Sequence, residues 1–194
     1  VGSEMCIRDS YNTAAKMKPP VCGEEDRESL VRALEDGTVD CIATDHAPHT
    51  SQAKENVFDA APFGIIGFET AFPVLYTEFV TKGRWTVDFL IEKMTKAPAR
   101  VMGAGWGTLA VGAPADLALL RLDSPWQFTK KAIFSRCTNS PWLGREFTAR
   151  VVATYVAGHE VFAAEEDIVP TVKTAKAEKK EKKSKDKAKK KKKQ

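Results

Sequence analysis

The chain has 194 residues, with 30 Lys and Arg against 26 Asp and Glu and a formal net charge of +4. That total joins two unlike pieces: Thr171–Gln194 holds 13 Lys against three acids, a net of +10, so residues 1–170 carry −6. With 43% apolar residues, 10 Phe and 4 Trp, the acidic body can bury a core. No apolar run approaches the roughly 18 residues of a membrane span, and no charged-apolar-small order of a signal peptide is visible. Cys6, Cys22, Cys41 and Cys137 are scattered with no CxxC pair, which disfavours a disulfide framework or a cysteine zinc site and points to reduced thiols in the cytoplasm.

Residues 1–10 show no periodicity and are expected to be an artefactual or flexible terminus. Pro19-Pro20 forces an extended entry into the next unit. Glu24-Glu25-Asp26 places acids in a first helical turn, Leu30, Val31 and Leu34 form an apolar stripe, and Asp36-Gly37 marks the helix end. Val39–Thr44 is a short, mostly apolar run of the kind a buried parallel strand shows, ending in Asp45-His46-Ala47-Pro48-His49. Helix, turn, buried strand and a polar cluster at the strand's C-terminal end predict an α/β fold, in which ligands bind at that end.

Gly67 to Thr81 reads as a helix interrupted by Pro73, Thr86 to Lys96 as a second with Thr86 as N-cap, and Pro98 to Met102 as a third. Beyond Gly107 the texture turns to strands: Asp116–Leu122, Val151–Val156 and, after a turn at Gly158-His159, Glu160–Phe162. The Lys-rich end, with no apolar face, is expected to be a disordered tail. Its counterion-releasing charge could tether nucleic acid. It lacks Arg and interleaved aromatics, which favours a solubilising end and makes a nucleic-acid partner the lesser reading.

The Thr44–His49 cluster is where chemistry would sit. A strand-end carboxylate can ligate a metal or accept a proton from water, and imidazoles three residues apart can ligate or meet an anionic substrate. Against this stands the plain alternative that Asp45 caps a turn while the histidines pack in a loop; residue types alone leave both open.

The run Asp36–His49 (DGTVDCIATDHAPH) closely resembles the eighth-strand segment of bacterial dihydroorotases. Ala61–Ala71 (APFGIIGFETA), Gly107-Thr108-Leu109 with Ala115-Asp116-Leu117, and Asn139–Gly144 (NSPWLG) agree in order and spacing. The resemblance covers Lys16 to about Phe162. It implies the C-terminal part of a zinc-dependent cyclic amidohydrolase on a (β/α)8 TIM barrel, with residues 11–106 as barrel portion, 107–165 as β-sandwich portion and 166–194 as tail. It implies reversible hydrolysis of dihydroorotate to N-carbamoyl-L-aspartate, in pyrimidine synthesis. It assigns Asp45 to one zinc and to proton transfer, His49 to the substrate carboxylate, and backbone groups at Phe63 and Gly64 to the substrate ring. The Phe63 side chain is expected in the core, His46 in local hydrogen bonds and His159 in solvent. Gly64 suits a close backbone approach.

Two departures qualify the resemblance. Lys18 stands where the family has a substrate-contacting Asn, a flexible point charge in place of a neutral amide. The family's His-x-His pair and its other metal ligands have no counterpart among three histidines, so the chain is expected to be a fragment, inactive alone. Allantoinase or hydantoinase chemistry is the alternative within the class. A non-catalytic subunit partnering aspartate transcarbamoylase is the alternative outside it. Homodimerisation follows from the family by analogy alone.

Overall fold

A computed structural model describes residues 11–164; the predicted terminus 1–10 and the Lys-rich tail lie outside the described residues. Helix α1, Glu24–Asp36, starts with three acids at its positive end, and the Asp26 carboxylate accepts from Gly23 N. It stops at Gly37, whose φ of 85° is left-handed. Val31 and Leu34 are buried, but Leu30 is 63% exposed. The buried face is centred toward Val31, and Leu30 falls at its rim.

The strand expected at Val39–Thr44 does not form. The segment is extended and anchored by Ile42 N on Lys93 O at 3.0 Å, and its continuation makes one parallel bridge, His46 to Ile65. A parallel strand needs neighbours to complete its ladder, and among the described residues only the stretch around Ile65 comes alongside.

The expected interruption at Pro73 is also corrected. A short α2, Ser51–Lys54, precedes the Gly67–Thr70 turn, and α3 then spans Ala71–Leu75 with Pro73 in its first turn, where a missing N–H breaks no helical bond. The irregularity comes afterwards: Tyr76–Val80 widens into a π turn, closed by Thr81 N on Tyr76 O. Thr77 Oγ1 accepts from Thr148 N at 3.2 Å and so ties the π turn to the β-rich region.

Helix α4, Val87–Met94, begins where Thr86 Oγ1 accepts from Phe89 N, as expected, and α5 spans Lys96–Val101. Val31, Leu34, Phe72, Phe79, Trp85, Leu90 and Ala149 close one apolar cluster, with Phe79 and Trp85 stacked at 4.1 Å. Arg84 forks onto both Glu28 and Glu35 and locks α1 to the segment after the π turn.

Strands β1 (Leu117–Arg121), β4 (Arg150–Val156) and β5 (His159–Ala163) make an antiparallel sheet in the order β1-β4-β5. The β4–β5 turn is Ala157-Gly158, both at positive φ, and Asp116 Oδ1 accepts from Ala157 N at 2.7 Å. Strands β2 (Trp126–Gln127) and β3 (Glu146–Phe147) pair over a second cluster of Trp126, Phe128, Ala132 and Phe147. No helix among the described residues is long and apolar enough to cross a membrane.

Candidate active site

Asp45 ends the extended segment with φ at 44°, a left-handed conformation uncommon outside glycine, and its carboxylate side is exposed. The next residue turns the other way. His46 Nδ1 accepts from Gly67 N at 3.1 Å and Phe68 N at 3.3 Å, so its proton sits on Nε2, toward Ser135 Oγ at 3.3 Å. The imidazole stacks on the Phe68 ring at 4.0 Å. Ser135 Oγ and N donate to Glu69 Oε1 at 2.5 and 2.8 Å, and Phe134 N adds a third bond. Burial pushes the Glu69 carboxyl up, but the Ser135 hydrogen bonds, a backbone hydrogen bond at Glu69 and the charge of His46 together hold it below the ordinary glutamate value. His46 is thus a local hydrogen-bonding residue, joining the Asp45 loop to the β-rich region.

His49 faces the opposite wall. Its Nε2 lies 2.8 Å from Phe63 O, and a carbonyl only accepts, so Nε2 carries the proton and Nδ1 is left for a ligand. Gly64, at φ 123°, passes so close that a Cβ there would stand 2.5 Å from Ala47 Cβ and 3.2 Å from His49 Nε2. The glycine is needed first for the approach to Ala47, and it lets the backbone lie against the His49 ring. The Phe63 side chain is not in the core: it is 52% exposed, with Lys16 Nζ 4.4 Å from its ring centroid. Its backbone is pinned inward and its ring is left outward.

Two buried lysines stitch this wall. Lys54 Nζ donates to the carbonyls of Thr13, Lys16 and Pro62, and Lys16 Nζ to those of Phe58 and Asp59. Burial, then the charge of Lys16, pushes the Lys54 ammonium below the usual lysine value. Gly64 N donates to Lys16 O at 2.9 Å. Lys18 and His159 are exposed.

One residue that the sequence placed in a motif without a role sits between the walls. Asn139, 6% exposed, accepts from His49 N at Oδ1 (3.0 Å) and donates through Nδ2 to Ala47 O (2.9 Å) and Gly64 O (3.1 Å). Its place in a stretch matching the family in order and spacing was the available signal. A cavity of about 450 Å³ is lined by Glu69 together with Phe68, Phe72, Trp126, Phe134 and Phe162, and neither Asp45 nor His49 lines it.

The chain matches the Amidohydrolase family over residues 5–161 and belongs to that family. It is 46% identical over 156 residues to a dihydroorotase of Bacillus subtilis, covering 79% of this chain and 36% of that one. It is 43% identical over 157 residues to a dihydroorotase of Endomicrobium trichonymphae, covering 80% and 37%. Among solved structures it is similar to an L-hydantoinase (dihydropyrimidinase) from Arthrobacter aurescens, with TM-score 0.71 and 32% identity over 82% of this chain and 37% of that one. A D-hydantoinase from a Thermus species gives TM-score 0.70 at 26% identity, covering 78% and 34%. The chain therefore spans little more than a third of the length of the relatives it matches.

Proposed function

We propose that this chain is the C-terminal part of a dihydroorotase. Residues 11–106 contribute the closing portion of a (β/α)8 barrel, and residues 107–165 a portion of its flanking β-sandwich. What carries the reading is the 46% identity to the Bacillus subtilis enzyme across the segments that build the Asp45–His49 site. The hydantoinase alternative rests on fold likeness at 32% identity or less among the structures cited. The non-catalytic alternative, a subunit supporting aspartate transcarbamoylase, is disfavoured by the retention of Asp45 and His49.

In the reversible hydrolysis of dihydroorotate to N-carbamoyl-L-aspartate, water oxygen adds to the ring amide carbon and the ring carbon–nitrogen bond breaks. Asp45, exposed at the mouth of the loop, takes the water proton and delivers it to the leaving nitrogen. His49, with Nε2 tied to Phe63 O, presents Nδ1 to the substrate carboxylate, donating when the ring carries both protons. The Phe63 and Gly64 carbonyls, each with one lone pair occupied by His49 or Asn139, keep a second to accept from substrate N–H groups.

The zinc that the family implies is a different matter. Asp45 is one donor, and among the described residues no group of three or more His, Cys, Asp or Glu stands together to hold a metal. These residues do not fit a complete metal site, and the role derived for Asp45 is proton transfer. The same family reading makes the protein cytoplasmic and its assembly a homodimer.

Complementation tests the proposal. The full chain is expressed with the part of the Bacillus subtilis dihydroorotase that precedes the matched region. Hydrolysis of dihydroorotate, lost on Asp45→Asn and absent from the chain alone, is expected. Preference for hydantoin, or turnover by the chain alone with stoichiometric zinc, would overturn it.

A further inference from the structure

We propose that Asn139 is a positioning residue that sets the separation between the His49 imidazole and the Phe63–Gly64 backbone, and so governs substrate recognition without touching substrate. Its side chain reaches across 75 to 92 positions of sequence to three backbone groups, one on each of His49, Ala47 and Gly64. Its own carbonyl accepts from Ile66 N at 3.1 Å, so the residue bonds to both walls at four points. The amide orientation follows from the partners. Oδ1 meets an N–H and Nδ2 meets two carbonyls, and a flipped amide would set oxygen against both carbonyls and nitrogen against the N–H.

No other neutral side chain of this length offers one acceptor and two donors in a plane. Aspartate keeps the acceptor for His49 N but turns a carboxylate on the Ala47 and Gly64 carbonyls. Alanine removes all three bonds and leaves half-buried backbone groups without the Asn139 partner. The two substitutions therefore separate the halves of the clamp. Gly64, held too close to Ala47 to carry a Cβ and against the His49 ring, is the part that moves when the donors are lost.

The inference rests on the substrate-facing role given to His49 and the Phe63–Gly64 backbone. Its first readouts are taken on the full chain without substrate, so failure of the dihydroorotase reading leaves them unmoved. In the wild-type chain, the Asn139 side-chain amide protons exchange at least about 100-fold more slowly than those of exposed Asn12 and Asn56. In Asn139→Asp the His49 backbone amide stays protected, while the imidazole nitrogen shift loses the signature of Nε2–H on Phe63 O. In Asn139→Ala both are lost, and the Leu90 amide, bonded to Thr86 O and buried in the first apolar cluster, reports that the fold persists. In the complemented enzyme, Asn139→Asp raises KM by about tenfold with kcat within about threefold. Fast exchange of the wild-type Asn139 amide, which needs no variant to fold, would overturn the clamp. So would an unchanged imidazole signature in either folded variant, and an unchanged KM would overturn its role in recognition.

Discussion

The apolar cluster around Trp85 and the polar loop around His49 are held together in opposite ways. The first is a contiguous set of rings and aliphatic groups, Val31, Leu34, Phe72, Phe79, Trp85 and Leu90, closed by an arginine fork and a capped helix. The second buries few large side chains. It is fixed by the side-chain hydrogen bonds of Asn139, Lys54, Lys16 and His46, most of them with backbone carbonyls or N–H groups. Stability resides in the first region and geometry in the second. Substitutions in the cluster should move unfolding and leave the site's signatures alone, while substitutions in the loop should move those signatures.

The largest effect is expected at Leu90, which is fully buried in the cluster. Leu90→Ala removes transfer energy and leaves a cavity, lowering stability by about 2–5 kcal/mol. Denaturant midpoints measure it, and the His49 nitrogen signature in the remaining folded protein should be unchanged. Gly64→Ala comes next, combining a left-handed backbone with a contact of 2.5 Å, and is expected to cost about 1–3 kcal/mol. Unlike Leu90→Ala it should also displace the His49 imidazole, visible in the same spectrum.

Acid sharpens the contrast. Because hydrogen bonds from Ser135 lower the folded-state value of Glu69 below the ordinary 4.5, its ionised form stabilises the fold fully above about that pH. The contribution is lost as pH falls through the lowered value. Glu69→Gln should therefore flatten the acid limb of a stability–pH curve measured by urea unfolding, and an unaltered limb would remove Glu69 from the account. The smallest effect is at the helix cap: Thr86→Ala should destabilise by about 1 kcal/mol, with the site untouched.

The two regions also differed in how much of them the sequence disclosed. Helix α1 with Gly37, the Thr86 cap and the Gly158 hairpin were legible because their signals lie within a few residues of their effect. The strand at Val39–Thr44 was not, because β pairing depends on partners far away in sequence, and one bridge is all that the described residues supply. The π turn after Pro73 and the outward Phe63 ring are settled by tertiary contacts, with Thr148 and Lys16 respectively. Asp45, His49 and Gly64 were marked by motif. Asn139 was not assigned a role, since its partners are 75 to 92 residues away.

The central claim is that this chain carries the substrate-holding wall of a dihydroorotase site, and ligand titration of the isotope-labelled full chain tests it most directly. N-carbamoyl-L-aspartate, which has the carboxylates that His49 should meet, is predicted to shift the His49 Nδ1 and Gly64 resonances in a saturable way. Hydantoin, which has ring N–H groups but no carboxylate, should leave His49 Nδ1 in place. Equal response to both ligands, or no response to N-carbamoyl-L-aspartate, would contradict the account.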